Sequence, residues 1–88
     1  MTIQIKVKVK KDTLKEFAEK LMTGVLDRSA VTGEAYCEKK EPAVGISYWK
    51  VDDMQEFEDK FSAWRPYYEE VEIKEVITAK EAMFALFS

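Results

Sequence analysis

At 88 residues the chain has room for one hydrophobic core, and we expect a single domain spanning residues 1–88. With 47% hydrophobic and 35% charged residues, the composition is that of a globular protein and excludes disorder as the default state. The net charge of −3 gives no electrostatic reason to bind nucleic acid or an anionic lipid surface, and we expect neither partner.

The N-terminal part of the sequence predicts a strand followed by a helix. Apolar and polar residues alternate strictly over Thr2–Lys10, which is typical of a strand with one buried face. Asp12 or Thr13 then offers an N-cap, and apolar residues follow at three- and four-residue spacing. We expect this helix to end within Gly24–Arg28, where the glycine weakens its last turns.

The middle of the sequence predicts a β-hairpin. Residues Ser29–Gly33 form the expected loop, Glu34–Lys39 a short strand, Lys39–Pro42 a polar turn and Ala43–Val51 a second, stronger strand. The pattern of the second strand leaves open which of its faces is buried. Two sets of side chains compete for that face: Val44, Ile46 and Tyr48 on one side, and Trp49 and Val51 on the other.

The C-terminal part predicts a helix, a strand and a short terminal helix. Asp53–Glu56 matches a capping box, and Pro66 stops the helix that it opens. Alternation over Glu69–Ile77 predicts another strand, and Thr78–Glu81 is a second capping box. The apolar residues of the terminal helix, which can dock on another surface, are Ala82, Met83, Leu86 and Phe87.

The element order βαββαβ predicts a ferredoxin-like α+β fold with a short C-terminal helix. Right-handed crossovers place both main helices on one face of a four-stranded antiparallel sheet, so the other face stays open. Two interpretations of this open face remain, a solvated charged surface or a polar lining between two sheets in a dimer. A domain of this size buries only about 60–65% of its unfolded surface, so we expect a homodimer. The charged and polar positions are Gln4, Lys6 and Lys8 in the first strand and Glu70, Glu72 and Lys74 in the last.

Three segments carry a resemblance to a known superfamily. Ile5–Asp12 followed by Leu14 and Phe17, the third strand Gly45–Asp53, and the run Trp64–Tyr68 resemble dimeric α/β-barrel proteins. Within that superfamily the chain resembles short members related to the antibiotic-biosynthesis-monooxygenase-like proteins. The resemblance implies a homodimer whose sheets face each other, and activities that include cofactor-independent monooxygenation and haem degradation. Haem-degrading members use a histidine ligand to iron, which this sequence lacks.

The residue inventory excludes most familiar catalytic machinery. Without histidine there is no Ser-His-Asp or Cys-His pair, and the three isolated glycines form no phosphate loop. We expect no catalytic residue, no metal site and no cofactor. Cys37 is the one cysteine, which excludes an intramolecular disulfide and suggests a small buried apolar residue in a reducing compartment. Because residues 1–6 resemble no signal peptide and no apolar run approaches roughly 20 residues, we expect a cytoplasmic protein without a membrane partner.

Aromatic residues are the most suggestive feature of the sequence. Tyr and Trp are enriched at interfaces and ligand pockets, since they bury a large area and keep a polar group. They also fill the core of a small domain, so both interpretations stay open. The candidate pocket or interface residues are Tyr36, Tyr48, Trp49, Trp64, Arg65 and Tyr67.

Two function classes follow from these features. The first is a non-enzymatic domain that binds a small hydrophobic ligand or another protein and acts as a homodimer. The alternative is a cofactor-independent monooxygenase-like enzyme acting on a small aromatic or hydrophobic substrate. We favour the first class, because the sequence contains no recognisable activated nucleophile or general base.

Overall fold

Four strands and three α-helices make up the computed structural model, which describes residues 1–87. The strands form one sheet of order β2-β3-β1-β4 in which every neighbouring pair is antiparallel. This is the predicted ferredoxin-like α+β fold with an added C-terminal helix. In chain order the elements are β1 (Thr2–Val9), α1 (Leu14–Met22), β2 (Val31–Cys37), β3 (Val44–Lys50), α2 (Met54–Phe61), β4 (Tyr68–Val76) and α3 (Ala79–Phe87).

Helix α1 is shorter than the sequence predicts. It ends at Met22 with Thr23 as its C-cap, and Gly24 follows with φ of +74°. A residue in this left-handed conformation terminates a helix, and glycine adopts it without steric strain. The predicted end within Gly24–Arg28 is therefore wrong by at least two residues, because Gly24 stops the helix instead of only weakening it.

Strand β2 begins inside the segment predicted as a loop. Val31 and Thr32 pair with Trp49 and Tyr48 of β3, and the register then shifts before Tyr36 pairs with Ile46. Gly33 lies in the shifted stretch with φ of +66°. Gly33 therefore lies at a bulge within the edge strand, and the predicted loop Ser29–Gly33 is too long at its C-terminal end.

Helix α2 ends at Phe61, well before Pro66. The proline lies instead in a 3₁₀ turn over Arg65–Tyr67, where its missing N–H removes no α-helical hydrogen bond. The predicted start is confirmed, because the carboxylate of Asp53 accepts a hydrogen bond from the Glu56 backbone N–H at 2.8 Å. Thr78 caps α3 similarly, accepting from the Glu81 N–H at 3.1 Å.

The strand register decides which side chains of β3 face the helices. Ile3 of β1 lies opposite Trp49, and both are completely buried. Lys6 lies opposite Ile46, and this pair is three residues along each strand from the Ile3–Trp49 pair. Three is an odd number, so the two pairs lie on different faces of the sheet. Because successive side chains point to opposite faces, Trp49 lies under the helices and Ile46 lies on the open face.

The core between sheet and helices consists largely of aromatic rings. Trp49 makes edge-to-face contacts with Phe57, Phe61 and Trp64, with ring centroids 5.6, 5.5 and 5.3 Å apart. From α1, Phe17 packs 6.1 Å from the Trp64 ring. Each such pair adds about 0.5–1.5 kcal/mol to the stabilisation from burial, so this cluster anchors both helices to the sheet.

Among residues 1–87, no helix has both the length and the apolar character needed to cross a bilayer.

Candidate functional site

The six predicted pocket or interface residues lie in three different places. Trp49, Trp64 and Tyr67 are buried in the core beneath the helices. Tyr36 and Tyr48 lie on the open face of the sheet, where the register aligns them with Ile46 of β3 and Gln4 of β1. The sixth residue, Arg65, is exposed at the turn after α2.

The buried group contains one unusual polar atom. Trp64 is 6% exposed, and its indole Nε1 is buried without a hydrogen-bond acceptor among residues 1–87. In contrast, the indole Nε1 of Trp49 donates to the Ser47 hydroxyl at 3.2 Å. A buried N–H without an acceptor is destabilising by about 1–3 kcal/mol.

Two cations cover the outer rings of this group. The Lys20 Nζ lies 5.4 Å from the centre of the Tyr67 ring, and hydrogen bonding to Tyr67 and Glu16 raises the pKa of the lysine. The Arg65 guanidinium lies 5.0 Å from the Phe61 ring and donates to both carboxylate oxygens of Glu58, at 3.1 and 2.9 Å. These contacts fix the outer edge of the core and hold the Arg65 guanidinium over the buried Phe61 ring.

The open face of the sheet is divided lengthwise by composition. Its β2–β3 half contains four apolar or aromatic residues, Tyr36, Val44, Ile46 and Tyr48, flanked by Thr32 and Lys50, and we call these four residues the apolar half. Tyr36 is 62% exposed on the edge strand, whereas Val44 is buried. The apolar half therefore offers two tyrosine rings and the half-buried Ile46 on an otherwise polar and charged surface.

The β1–β4 half of the open face is charged. Its register places Lys6 opposite Glu72 and Lys8 opposite Glu70, the cross-strand arrangement expected from the sequence. The closest ion pair nevertheless joins Lys8 Nζ to Glu41 of the β2–β3 turn at 2.9 Å, and Glu41 is the main cause of the raised pKa of that lysine. Charge neutralisation within the chain makes this half compatible with contact to a second protein surface.

A shallow pocket lies over the charged half. Its volume is about 240 Å³, smaller than the roughly 300–1,000 Å³ that is usual for small-molecule sites. It is lined by Lys6, Lys8, Val44 and acidic side chains, and none of the predicted aromatic residues belongs to it.

Helix α3 exposes apolar side chains that no other element covers well. Phe84 and Phe87 are 75% and 84% exposed, and Met83 and Leu86 are also exposed. Lys80, Met83, Phe84 and Phe87 line one groove along the helix, at the spacing i, i+3, i+4, i+7. The sequence indicated a docking helix but missed Phe84, which its helical spacing from Lys80 and Phe87 could have revealed.

The remaining candidates for chemistry have structural surroundings. Cys37 is exposed, so the expectation of a buried thiol is wrong; it lies at the end of the edge strand β2, opposite Gly45, where no helix covers it. Within the described residues, no group of three or more His, Cys, Asp or Glu side chains is arranged to hold a metal ion. Three of the acidic residues around α2 accept local hydrogen bonds: Asp53 from the Glu56 N–H, Asp59 from the Gln55 side chain and Glu58 from Arg65.

Comparison with known proteins supports the fold. No protein-family model matches the sequence, and no curated protein matches it. A solved structure from Bacteroides thetaiotaomicron, described as an antibiotic biosynthesis monooxygenase, superimposes with a TM-score of 0.56 at 12% identity, covering 90% of this chain and 89% of that one. A second structure described as an antibiotic biosynthesis monooxygenase gives a TM-score of 0.50 at 6% identity, covering 88% of this chain and 98% of that one.

At such low identity these matches report architecture and not chemistry. They agree with the resemblance found in the strands and turns of the sequence. The chain therefore has the ferredoxin-like fold found in the antibiotic-biosynthesis-monooxygenase-like proteins.

Proposed function

We propose that the chain is a non-enzymatic interaction domain that acts as a homodimer, with the open sheet faces of the two copies turned towards each other. The observation that carries this proposal is the apolar half of the open face. Ile46 and Tyr48 lie there on a central strand, half-buried, with no helix above them. Monomeric proteins seldom leave contiguous apolar patches uncovered, and such patches mark interaction sites.

The charged half of the same face supports a second copy as the partner. Lys8 and Lys74 are already paired with acidic residues of their own chain, so two such surfaces can approach without large like-charge repulsion. In a two-fold dimer the open face of each chain is turned towards the other chain, so the apolar half of both copies lies at the interface.

Analytical gel filtration with light scattering tests this proposal. We expect the unmodified chain to elute as a dimer, and Ile46→Lys to elute as a folded monomer because it places a charge in each copy of the interface. Lys15→Glu, on exposed α1, is the matched control and should remain dimeric. A monomeric unmodified chain, or an unchanged Ile46→Lys dimer, would contradict the proposal.

The small-ligand part of the proposal concerns the space enclosed between the two sheets, where Tyr36 and Tyr48 would contact a hydrophobic molecule. Native mass spectrometry of the protein isolated from cells measures the assembly mass and any retained compound together. We expect a dimer with added mass that is lost on denaturation. A dimer of bare mass would remove the ligand and leave protein interaction as the function.

A second candidate function rests on the unpaired Trp64 N–H. In a cofactor-independent monooxygenase the substrate supplies its own reactivity, while rings such as Trp64 and Tyr67 position it and exclude water. Both solved relatives cited above are described as monooxygenases.

Oxygen uptake with anthrone tests this candidate, because its activated methylene can become a ketone while the second oxygen atom of O₂ leaves as water. Uptake above that of heat-denatured protein, reduced in Trp64→Phe but retained in Leu86→Ser, is the expected result for an enzyme. Uptake equal to the denatured control would eliminate it.

A further inference from the structure

Helix α3 projects from the domain instead of packing on it. The radius of gyration of the chain is 14.3 Å, whereas a compact domain of this length has about 12 Å. The longest dimension is 49 Å against 20 Å for the shortest. A nine-residue helix is about 13 Å long, so an undocked α3 accounts for much of this elongation.

The helix is nevertheless well defined by its own sequence. The Thr78 hydroxyl accepts a hydrogen bond from the Glu81 backbone N–H at 3.1 Å and donates one to the Glu81 carboxylate at the same distance. This cap satisfies one of the free N–H groups at the start of the helix. An isolated helix of nine residues is marginal in water, so α3 needs a surface to pack on.

The exposed groove of α3 is large enough to contribute to a stable interface. Phe84 and Phe87 leave on the order of 300 Å² of ring surface in water, and Met83 adds to it. A standard interface buries roughly 800 Å² on each partner, so α3 alone supplies a substantial part but not the whole. The remaining area must come from another surface of the same assembly.

We infer that α3 of one chain docks, through its groove of Lys80, Met83, Phe84 and Phe87, on the apolar half of the open face of a second copy. This inference rests on the homodimer proposed above and specifies which surfaces of the two chains contact each other. Each copy has one uncovered helix and one uncovered apolar half. In a two-fold symmetric dimer, α3 of each chain covers the apolar half of the other, so the same contact occurs twice.

Sedimentation equilibrium of full-length variants gives the first test. We expect Phe84→Ser and Phe87→Ser each to weaken dimerisation by about tenfold or more, because each removes a ring from the groove. Leu86→Ser is the matched control: Leu86 is 78% exposed but lies outside the groove, so its dimer dissociation constant should change less than about twofold. Unchanged far-ultraviolet circular dichroism confirms that each variant is folded.

Cross-linking between two different chains gives the second test and distinguishes exchange from docking within one chain. In a Cys37→Ser background, chains carrying Tyr36→Cys are mixed with chains carrying Lys80→Cys and treated with a short bismaleimide. We expect a cross-linked heterodimer, and none when Lys15→Cys on α1 replaces Lys80→Cys.

The outcomes separate this inference from the proposed function. A monomeric unmodified chain would overturn both. A dimer that Ile46→Lys dissociates, but that Phe84→Ser leaves unchanged and in which no Tyr36→Cys to Lys80→Cys product forms, would overturn the docking of α3 alone.

Discussion

The two faces of the sheet have the same strands but very different partners. On the covered face, Trp49 is 1% exposed and packs against rings from α2. On the open face, its neighbour Tyr48 is only half-buried and lies between Gln4 of β1 and Thr32 of β2, where no helix covers it. The covered face stabilises the monomer, while the open face is the surface that we propose for association.

The largest expected effect comes from substituting these two adjacent residues. Trp49→Ala should lower the free energy of unfolding by about 3–5 kcal/mol, because it leaves a large cavity in the aromatic core. Tyr48→Ala should lower the free energy of unfolding of the monomer by less than about 1 kcal/mol, and its main effect should be a weaker dimer. Urea denaturation at low protein concentration measures both, with Phe57→Leu as a milder core variant if Trp49→Ala does not fold. Equal destabilisation by the two alanine variants would contradict the assigned division between faces.

The covered face should also make stability dependent on alkaline pH. Burial raises the pKa of Tyr68 above its ordinary value of 10.0. Since the unfolded chain ionises first, the contribution of Tyr68 is fully present below pH 10.0 and is lost as the pH rises toward the folded-state pKa. The slope approaches about 1.4 kcal/mol per pH unit for one tyrosine.

Tyr68→Phe should reduce the slope by the part that Tyr68 supplies, whereas Tyr36→Phe on the open face should leave the slope unchanged. Chemical denaturation at a series of pH values measures the difference. A slope that is the same in Tyr68→Phe as in the unmodified chain would show that other groups, such as Lys8 and Lys20 with their raised pKa values, are responsible.

A smaller effect is expected at the start of α2, which holds two of the core rings over the sheet. Asp53→Ala removes the side-chain acceptor of the Glu56 N–H and should destabilise the domain by about 1 kcal/mol. Asp53→Asn keeps an acceptor and is the conservative control in the same thermal denaturation. If the two variants were equally unstable, charge near the helix end would matter more than the hydrogen bond.

The elements that the sequence predicted well are those determined by residues close together in the chain. Alternation in β1 and β4 and the capping residues Asp53 and Thr78 act through neighbours in the chain, so these elements were predicted closely. The orientation of β3 was not predicted, because its sequence has apolar residues on both faces. Only its pairing with Ile3 and Ile5 of β1 decides which face is turned towards the helices.

The candidate site was less predictable than the fold. Tyr48 and Trp49 are neighbours in the sequence, yet the period of two sends them to opposite faces. The exposure of Cys37 follows from the edge position of β2, which is a property of strand order and not of composition. Aromatic content alone therefore indicated important residues without indicating which of them act together.

Self-association through the open face is tested most directly by sedimentation equilibrium of the unmodified chain at tens of micromolar. We expect a single species of twice the chain mass of 10.2 kDa, which dissociates on dilution without loss of helix content. A species of 10.2 kDa at that concentration, with the fold intact, would contradict the proposed dimer and the docking of α3 that depends on it.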